Sequence, residues 1–254
     1  PASERDPALS RAVNVDGTRN VIFAASEAGA RRVVHISSIA VYGYRVLPEI
    51  VTEALGPNPS HEPYTRSKSE GESAAREAAD QTGLELAILR PGAIYGPRSG
   101  FWTQKFFALT GGIVLPFVGD GRRGTIPAVF IDDLVDLCLL AARHPDAVGE
   151  AFNAVAQPQP TWRDYFEAFA ALRGDRLRWL GFPLFAMRSV AAIGARFGPR
   201  GTRAKDAPGL LHLASERVTY SNAKARDRLG WIPQHDLAAG MARSADWLRE
   251  IGDL

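Results

Sequence analysis

Arg32-Val-Val-His-Ile-Ser-Ser38 is the stretch from which the fold can be read. Its β-branched run, entered after Gly29 and closed by two serines, predicts a short buried strand. Upstream, residues 8–28 carry Val13, Val21, Ile22 and Ala25 at helical spacing and stop at Gly29, a helix terminator. Downstream, a loop rich in Pro, Gly and Asn over residues 43–63 leads into a helix over 64–82 ended by Gly83. Residues 84–89 read as a second strand, closed by Arg90-Pro-Gly92. Helix, strand, helix, strand with this punctuation is the βαβ order of a parallel sheet, whose crossovers run right-handed.

From about residue 99 the pattern changes. Helices are predicted over 100–110, 132–143, 161–172, 183–196 and 236–250, and strands over 114–118, 127–131 and 151–155, the last returning to the sheet. The chain therefore reads as α/β, a sheet-based half followed by a mainly helical half. No internal repeat or low-complexity segment interrupts it.

The composition agrees with a packed globular chain. Of 254 residues, 46% are hydrophobic, 23% charged and 9% aromatic, which excludes disorder and collagen-like repeats. The lone cysteine, Cys138, lies in an apolar run and has no partner in the chain, so a disulfide-free cytoplasmic protein is the simplest reading. A formal charge of +2, without long blocks of one sign, makes nucleic acid a poor default partner. Residues 1–10 are polar and contain proline, unlike a signal peptide. The longest strongly apolar stretch, 179–187, is too short to span a bilayer and contains Gly181 and Pro183, so no transmembrane segment is expected.

Four segments carry chemistry: Asn14-Val-Asp-Gly-Thr18, Ser37-Ser-Ile-Ala-Val-Tyr-Gly43, Tyr64-Thr-Arg-Ser-Lys68 and Leu89-Arg-Pro-Gly-Ala-Ile-Tyr-Gly-Pro97. Tyr64 and Lys68 stand four apart on one helix, so their side chains rise from the same face. A phenol is a poor acid-base catalyst at neutral pH, but an adjacent ammonium favours the phenolate, and such a pair can shuttle a proton to an alcohol or carbonyl oxygen. Ser37 or Ser38, at the carboxyl end of a parallel strand where ligands of α/β sheets bind, can polarise the same oxygen. Alone each feature is weak. About 0.1 Tyr-x-x-x-Lys pairs are expected by chance in this composition, and a Ser-Ser pair ending a strand is commonly a cap or turn device. Their joint occurrence, in order, is the signal.

Together the four segments resemble the extended short-chain dehydrogenase/reductases, the NAD-dependent epimerase/dehydratase superfamily, over essentially the whole chain. The resemblance implies a Rossmann-like doubly wound parallel sheet and assigns Tyr64 as general acid/base, with Ser38 as hydrogen-bond donor to the substrate oxygen. It implies that Lys68 binds the nicotinamide ribose and depresses the tyrosine pKa, with Ser37, Pro91 and Gly92 on the cofactor side. NAD or NADP would carry the hydride. On this reading residues 1–98 are the C-terminal part of the dinucleotide-binding domain, with 125–156 partly returning to it, and 99–124 and 157–254 form the substrate-binding region.

The family begins with a strand and a Gly-x-x-Gly-x-x-Gly turn that cradles the cofactor pyrophosphate. No such segment precedes residue 32, and Gly111-Gly112, residues 119–124 and 194–201 lie in the wrong half. The expectation is an incomplete sheet whose first strands are missing, in a fragment of a longer protein or a truncated product that binds nicotinamide weakly.

The substrate class is read from the second half. Sugar-nucleotide enzymes of the family carry an arginine shortly before the segment matched by Phe130-Ile-Asp-Asp133; here Ile126-Pro-Ala128 stands in that place. Arg122 and Arg123 are the substitutes on offer, although a solvated turn suits them as well. Ile39-Ala40 replaces the Asp-Glu pair of the dehydratases, which disfavours sugar 4,6-dehydration. The runs Gly119-Asp-Gly, Val129-Phe-Ile-Asp-Asp and Gly149-Glu-Ala-Phe-Asn153 look more like the 3β-hydroxysteroid dehydrogenase-like and dihydroflavonol reductase-like branches. An oxidoreductase of a secondary alcohol or ketone on an apolar or small substrate is the leading expectation. A nucleotide-sugar 4-epimerase and a non-catalytic member acting by binding are the alternatives. Residues 177–197, apolar but punctuated by Arg178, Arg188 and Arg196, read as a core-packing helix with snorkelling arginines in preference to a pocket lining or a membrane contact. A homodimer is left open. Residues 223–233 resemble a terminal structural element of the family. His61 is read as a solvated loop residue, Asp132 and Asp133 as a helix cap, and His35, His144, His212 and His235 show no metal-binding spacing.

Overall fold

A computed structural model describes residues 6–43, 47–58, 63–112, 114–197, 211, 214–215 and 217–254. His61 and His212 lie outside the described residues. The central sheet has the strand order β1 (Arg32–Ile36), β3 (Glu85–Pro91) and β7 (Ala151–Ala154), all parallel. Its register sets Ile36 beside Leu89 and Pro91 beside Ala154. The strand β3 is buried almost throughout and alternates between two helical layers. Leu86 and Ile88 pack with Ile22 of α2 (Gly17–Glu27) and with Ala75 and Ala79 of α3 (Pro63–Thr82). Ala87 and Leu89 face the other way, toward Leu134 and Leu137 of α5 (Ile131–Arg143). This two-residue alternation between two apolar layers is the pattern of a parallel sheet covered on both faces, the doubly wound α/β arrangement expected from the sequence.

Gly29 and Gly83, with φ of 74° and 69°, follow the ends of α2 and α3 and supply the left-handed turns that send the chain back into β1 and β3. The first helical stretch is not uniform. Between α1 (Pro7–Arg11) and α2 it widens into a π-helical turn, Ala12–Asp16, which carries Asn14.

At Gly92 the chain leaves the central sheet, and β4 (Ala93–Tyr95) pairs in parallel with β6 (Ala128–Phe130). A Cβ at Gly92 would overlap the Pro127 carbonyl, so the crossing is close enough to require glycine. Beyond it lies a second core dominated by rings. Phe106 of α4 (Phe106–Leu109) and Trp162, Tyr165, Phe166 and Phe169 of α6 (Trp162–Leu172) pack around Tyr95 and Phe130. Tyr165 meets Phe169 edge-on, with centroids 5.1 Å apart. A two-stranded parallel ribbon, β5 (Val114–Val118) with β8 (Arg178–Phe182), carries α7 (Leu184–Phe197) against β5. The short strands β2 (Ile50–Val51) and β9 (Thr219–Tyr220) pair beside Tyr42 and Val155, and the helices Ala223–Leu229 and Leu237–Glu250 close the chain.

Two expectations from the sequence change here. Residues 177–197 are not one helix: Arg178–Phe182 is a strand, and the following helix turns only part of its apolar surface inward, with Leu184 and Met187 half-buried but Phe185, Val190 and Ile193 exposed. Asp132 and Asp133 do not cap α5, whose N-cap position is Phe130 with no side-chain bond. Asp133 instead accepts the backbone N–H groups of Gln234 and His235 and bonds His235 Nδ1 at 2.9 Å, while Asp132 pairs with Arg243. Among the described residues no group of three His, Cys, Asp or Glu could hold a metal ion, and no helix is long and apolar enough to cross a membrane.

Candidate active site

The site is organised by one stripe along α3. At 100° per residue, Tyr64, Lys68, Gly71, Glu72, Ala75 and Ala79 fall within about a quarter of the helix circumference. The lower part of the stripe, Ala75 and Ala79, is buried against the sheet. Glu72 is fully buried at the level of the strand ends, and Tyr64 and Lys68 remain half-buried above it. Burial of the alanine face therefore aims Tyr64 and Lys68 past the carboxyl end of β1.

Ser38 caps the 3₁₀ turn Ile39–Tyr42 that follows β1, and its Oγ accepts the Ala40 N–H at 3.1 Å. The capping bond uses a lone pair and leaves the hydroxyl proton free to donate. The cap reading and the catalytic reading of this serine are thus compatible. The turn is tied to α3 where Ser69 donates its hydroxyl to the Val41 carbonyl at 3.4 Å, and it ends at Gly43, whose φ is 73°.

Ser37 points the opposite way. Its side chain is buried and donates to Glu72 Oε2 at 3.0 Å, the first link of a polar network beneath the site. Arg90, on β3 and 2% exposed, grips the Glu72 carboxylate with Nε at 3.1 Å and Nη2 at 2.6 Å. Its Nη1 donates to the Tyr42 hydroxyl, which in turn donates to Asn153 Oδ1 at 2.7 Å. Asn153, on β7, donates its backbone N–H to Glu53 Oε1 at 2.7 Å. Burial alone would push the Glu72 carboxyl up, but the contacts from Arg90, Ser37 and Arg76 outweigh it and hold the pKa below the usual range. Tyr42 goes the other way: burial drives its phenol to about 12, in spite of Arg90.

Lys68 makes itself felt at β1. His35, two residues before Ser37, is pushed down to about 4, first by burial and next by the Lys68 ammonium. The π-helical turn closes the flank. A Cβ on Gly71 would come within 2.5 Å of the Asn14 carbonyl oxygen, and Asn14 Nδ2 donates to Ser67 Oγ at 3.2 Å. Sequence reasoning cited residues 14–18 as a motif but gave Asn14 no place beside α3.

On the far side, Pro91 is buried at the end of β3, and the Gly92 N–H is already donated to the Ala154 carbonyl at 3.2 Å. Gly92 therefore offers no free backbone donor at this point. Arg122 and Arg123 are exposed, and Arg122 turns back on Asp120, as a solvated turn would have it. A cleft of about 600 Å³ flanks α3 away from Tyr64. Its charges pair across it, Arg11 with Glu70 at 3.0 Å and Arg19 with Glu77 at 3.3 Å.

Comparison with known proteins gives the family. Residues 1–154 match the model of the NAD dependent epimerase/dehydratase family. The UDP-glucose 4-epimerase of Mycolicibacterium smegmatis is 31% identical over 252 residues, covering 96% of this chain and 71% of that protein. The 3beta-hydroxysteroid-dehydrogenase/decarboxylase isoform 1 of Arabidopsis thaliana is 28% identical over 255 residues, 94% of this chain and 58% of that protein. Among solved structures, the UDP-glucose 4-epimerase of Thermotoga maritima with UDP-glucose superposes with a TM-score of 0.74 at 22% identity, over 98% of this chain and 74% of that one. The Thermus thermophilus UDP-glucose 4-epimerase complex with NAD gives 0.71 at 22%, over 99% and 74%. At these identities the structural likeness is one of fold. The family match covers more than half of the sequence and coincides with the β1, α3 and β3 framework of the site, so the chain belongs to the NAD dependent epimerase/dehydratase family, enzymes of the extended short-chain dehydrogenase/reductase type.

Proposed function

We propose that the chain interconverts a secondary alcohol and a ketone on an apolar or small substrate, using Ser38, Tyr64 and Lys68 together with NAD or NADP. What supports the reading is the α3 stripe: Tyr64 and Lys68 share a helix face with Glu72, which Ser37 and Arg90 hold beside the end of β1, and Ser38 follows that strand. Half-buried hydroxyl and ammonium groups at that end suit the ribose hydroxyls of a nicotinamide cofactor, with Pro91 and Gly92 as apolar surface beside it. When bound, the cofactor supplies the hydride acceptor or donor. In the oxidising direction Tyr64 takes the hydroxyl proton of the alcohol at its phenolate oxygen. Lys68 stabilises that phenolate through its charge, and the Ser38 hydroxyl donates to the substrate oxygen as its bond order rises. In reduction the proton returns from Tyr64 to the carbonyl oxygen.

The leading substrate class rests on the second half of the chain. Half-buried Phe101, Trp102, Phe117 and Trp179 border the aromatic core, and Ile126 is fully buried where a diphosphate-binding arginine would stand. A nucleotide-sugar 4-epimerase is the second reading, favoured by the 31% identity to the mycobacterial UDP-glucose 4-epimerase. The same three side chains would then serve transient oxidation. Turnover of secondary alcohols, followed by reduced-nicotinamide absorbance, should fall by about 10²- to 10⁴-fold in Tyr64→Phe while cofactor affinity stays near that of the parent protein. Retained turnover in this variant defeats the assignment. Interconversion of UDP-glucose and UDP-galactose without accumulation of reduced cofactor would select the epimerase.

A further inference from the structure

The region after α6 combines two properties, a run of cations and an exposed apolar helix face. Between Arg173 and Lys205 the sequence places seven arginines and one lysine against a single acid, Asp175, although the whole chain carries a formal charge of only +2. The cations are spaced among apolar residues, so they do not form a solid basic block. Arg176, Arg178 and Arg188 are exposed and, among the described residues, have no acidic partner within salt-bridge distance. Among the described residues their charge is not neutralised by an ion pair, in contrast to the paired cations along α3.

The second property is the outward face of α7. At 100° per residue Phe185, Ser189, Ile193 and Val190 occupy one continuous arc of about 140°, roughly opposite Leu184 and Met187, which turn toward the ribbon. Phe185 is 74% exposed, Val190 66% and Ile193 59%. The one polar side chain in the arc, Ser189, returns its hydroxyl to the Phe185 carbonyl at 3.0 Å and so asks little of water. On the neighbouring ribbon, Val114 and Leu180 are also about half exposed, with Arg178 paired in register with Val114. A helix that is apolar on both sides is normally buried on both. This one has a covering layer on one side only.

We propose that α7 and the β5–β8 ribbon dock on an anionic lipid bilayer, with Phe185, Val190 and Ile193 entering the acyl boundary and Arg176, Arg178 and Arg188 meeting the headgroup phosphates. The charge pattern selects this occupant. A second copy bound through the same face would bring one arginine-rich surface against another, a like-charge contact that opposes association. An interfacial helix needs what is present here: large apolar side chains on one arc and cations at its margin, set into the first 5–10 Å or so of the bilayer. Anionic lipid contributes through each arginine near the surface and is screened by salt.

The test is sedimentation of the whole chain with vesicles of phosphatidylcholine and phosphatidylglycerol at 7:3, and with vesicles of phosphatidylcholine alone. Binding to the mixed vesicles is expected, weaker by at least tenfold on pure phosphatidylcholine or in high salt. Phe185→Ser/Val190→Ser/Ile193→Ser should lower the partition coefficient at least tenfold with an unchanged circular dichroism spectrum and melting temperature. Arg176→Gln/Arg178→Gln/Arg188→Gln should erase the preference for the anionic vesicles. Should the triple serine variant fail to fold, Phe185→Cys in a Cys138→Ser background, labelled with an environment-sensitive dye, gives the same information through a blue shift on adding the mixed vesicles. Absence of sedimentation with anionic vesicles, equal binding by the serine variant, or a dye that does not shift overturns the proposal. So does a dimer, seen by analytical ultracentrifugation, that the serine substitutions dissociate while no vesicle binding is found.

Discussion

Replacing Arg90 by Met tests the buried network beneath the site. In the native structure Arg90 gives three hydrogen bonds, two to Glu72 and one to the Tyr42 hydroxyl. Methionine fills similar length in the core but leaves the Glu72 carboxylate, itself 0% exposed, with only the Ser37 hydroxyl at 3.0 Å and the half-exposed Arg76 at 3.2 Å. Breaking one side of a buried ion pair costs about 3–5 kcal/mol, because the remaining charge has lost its solvent and its partner together. Against a total stability of about 5–15 kcal/mol for a domain, this is about a fifth of the fold or more. With a urea slope of about 2–3 kcal/mol per molar, the midpoint should fall by about 1–2.5 M. The acid limb supplies a second readout. The folded pKa of Glu72 is depressed below its ordinary value of 4.5, so the stabilisation is present above that value and is lost as pH falls through the folded pKa. Arg90→Met removes the cause of the depression, and its stability should depend less on pH in that acid range. A cost below about 1 kcal/mol, or an acid limb identical to that of the parent, would show that Glu72 does not depend on Arg90 and refute the reasoning.

Burial also couples His35 to stability: its folded pKa is about 4 against an ordinary value of 6.5. Above 6.5 both states are neutral; between 6.5 and about 4 only the unfolded chain takes the proton, so stability should fall by up to about 3 kcal/mol over that window, and His35→Gln should remove the slope when unfolding is followed by urea titration at successive pH values. Gly71→Ala would place a methyl 2.5 Å from the Asn14 carbonyl oxygen, which is backbone and cannot swing away. The overlap should outweigh the gain of nearly 1 kcal/mol that alanine brings to a helix interior, for a net loss of about 1–2 kcal/mol; a variant more stable than the parent in urea would show that the π-helical turn does not press on α3.

Much of the framework is legible in the sequence because its signals are local. Gly29 and Gly83 mark helix ends, and the apolar runs between them and the following loops carry β1 and β3 to within a residue or two. The strand Arg178–Phe182 is different. Its pairing partner is Val114–Val118, some sixty residues upstream, and although Gly181 and Pro183 break the run ahead of the helix that follows, nothing in its own residues marks it as a strand. Strand identity of that kind is conferred by the partner. Asp133 is misread for the same reason: two acids opening a helix look like a cap, whereas the bonds that use this carboxylate reach Gln234 and His235, about a hundred residues away. Glu72 was within reach. It stands four residues after Lys68 and eight after Tyr64, which puts it on their face, and Arg90 is a lone charge at the end of an apolar strand. A charged residue on the buried face of each of two adjacent elements is a pair waiting to be drawn.

Why keep that pair where an apolar contact would serve stability as well? The alanines of α3 give non-directional contact, and a helix held by them alone can rotate or slide by a fraction of a turn at little cost. A carboxylate gripped by two guanidinium nitrogens has a fixed plane and a fixed distance, and here it sits two turns from Tyr64 on the same stripe. The two jobs can be separated. Glu72→Leu/Arg90→Met replaces the pair with apolar groups of similar size and should recover most of the stability lost in Arg90→Met alone, since removing both charges leaves none unpaired. Turnover should not recover with it, because a displacement of about 1 Å at the reacting atoms costs on the order of a hundredfold. A loss of kcat at nearly unchanged cofactor affinity, in a variant that unfolds at close to the parent's urea midpoint, identifies the pair as the device that positions Tyr64 and Lys68. If kcat returns together with stability, the alanine face suffices to aim α3, and the ion pair is structural filling.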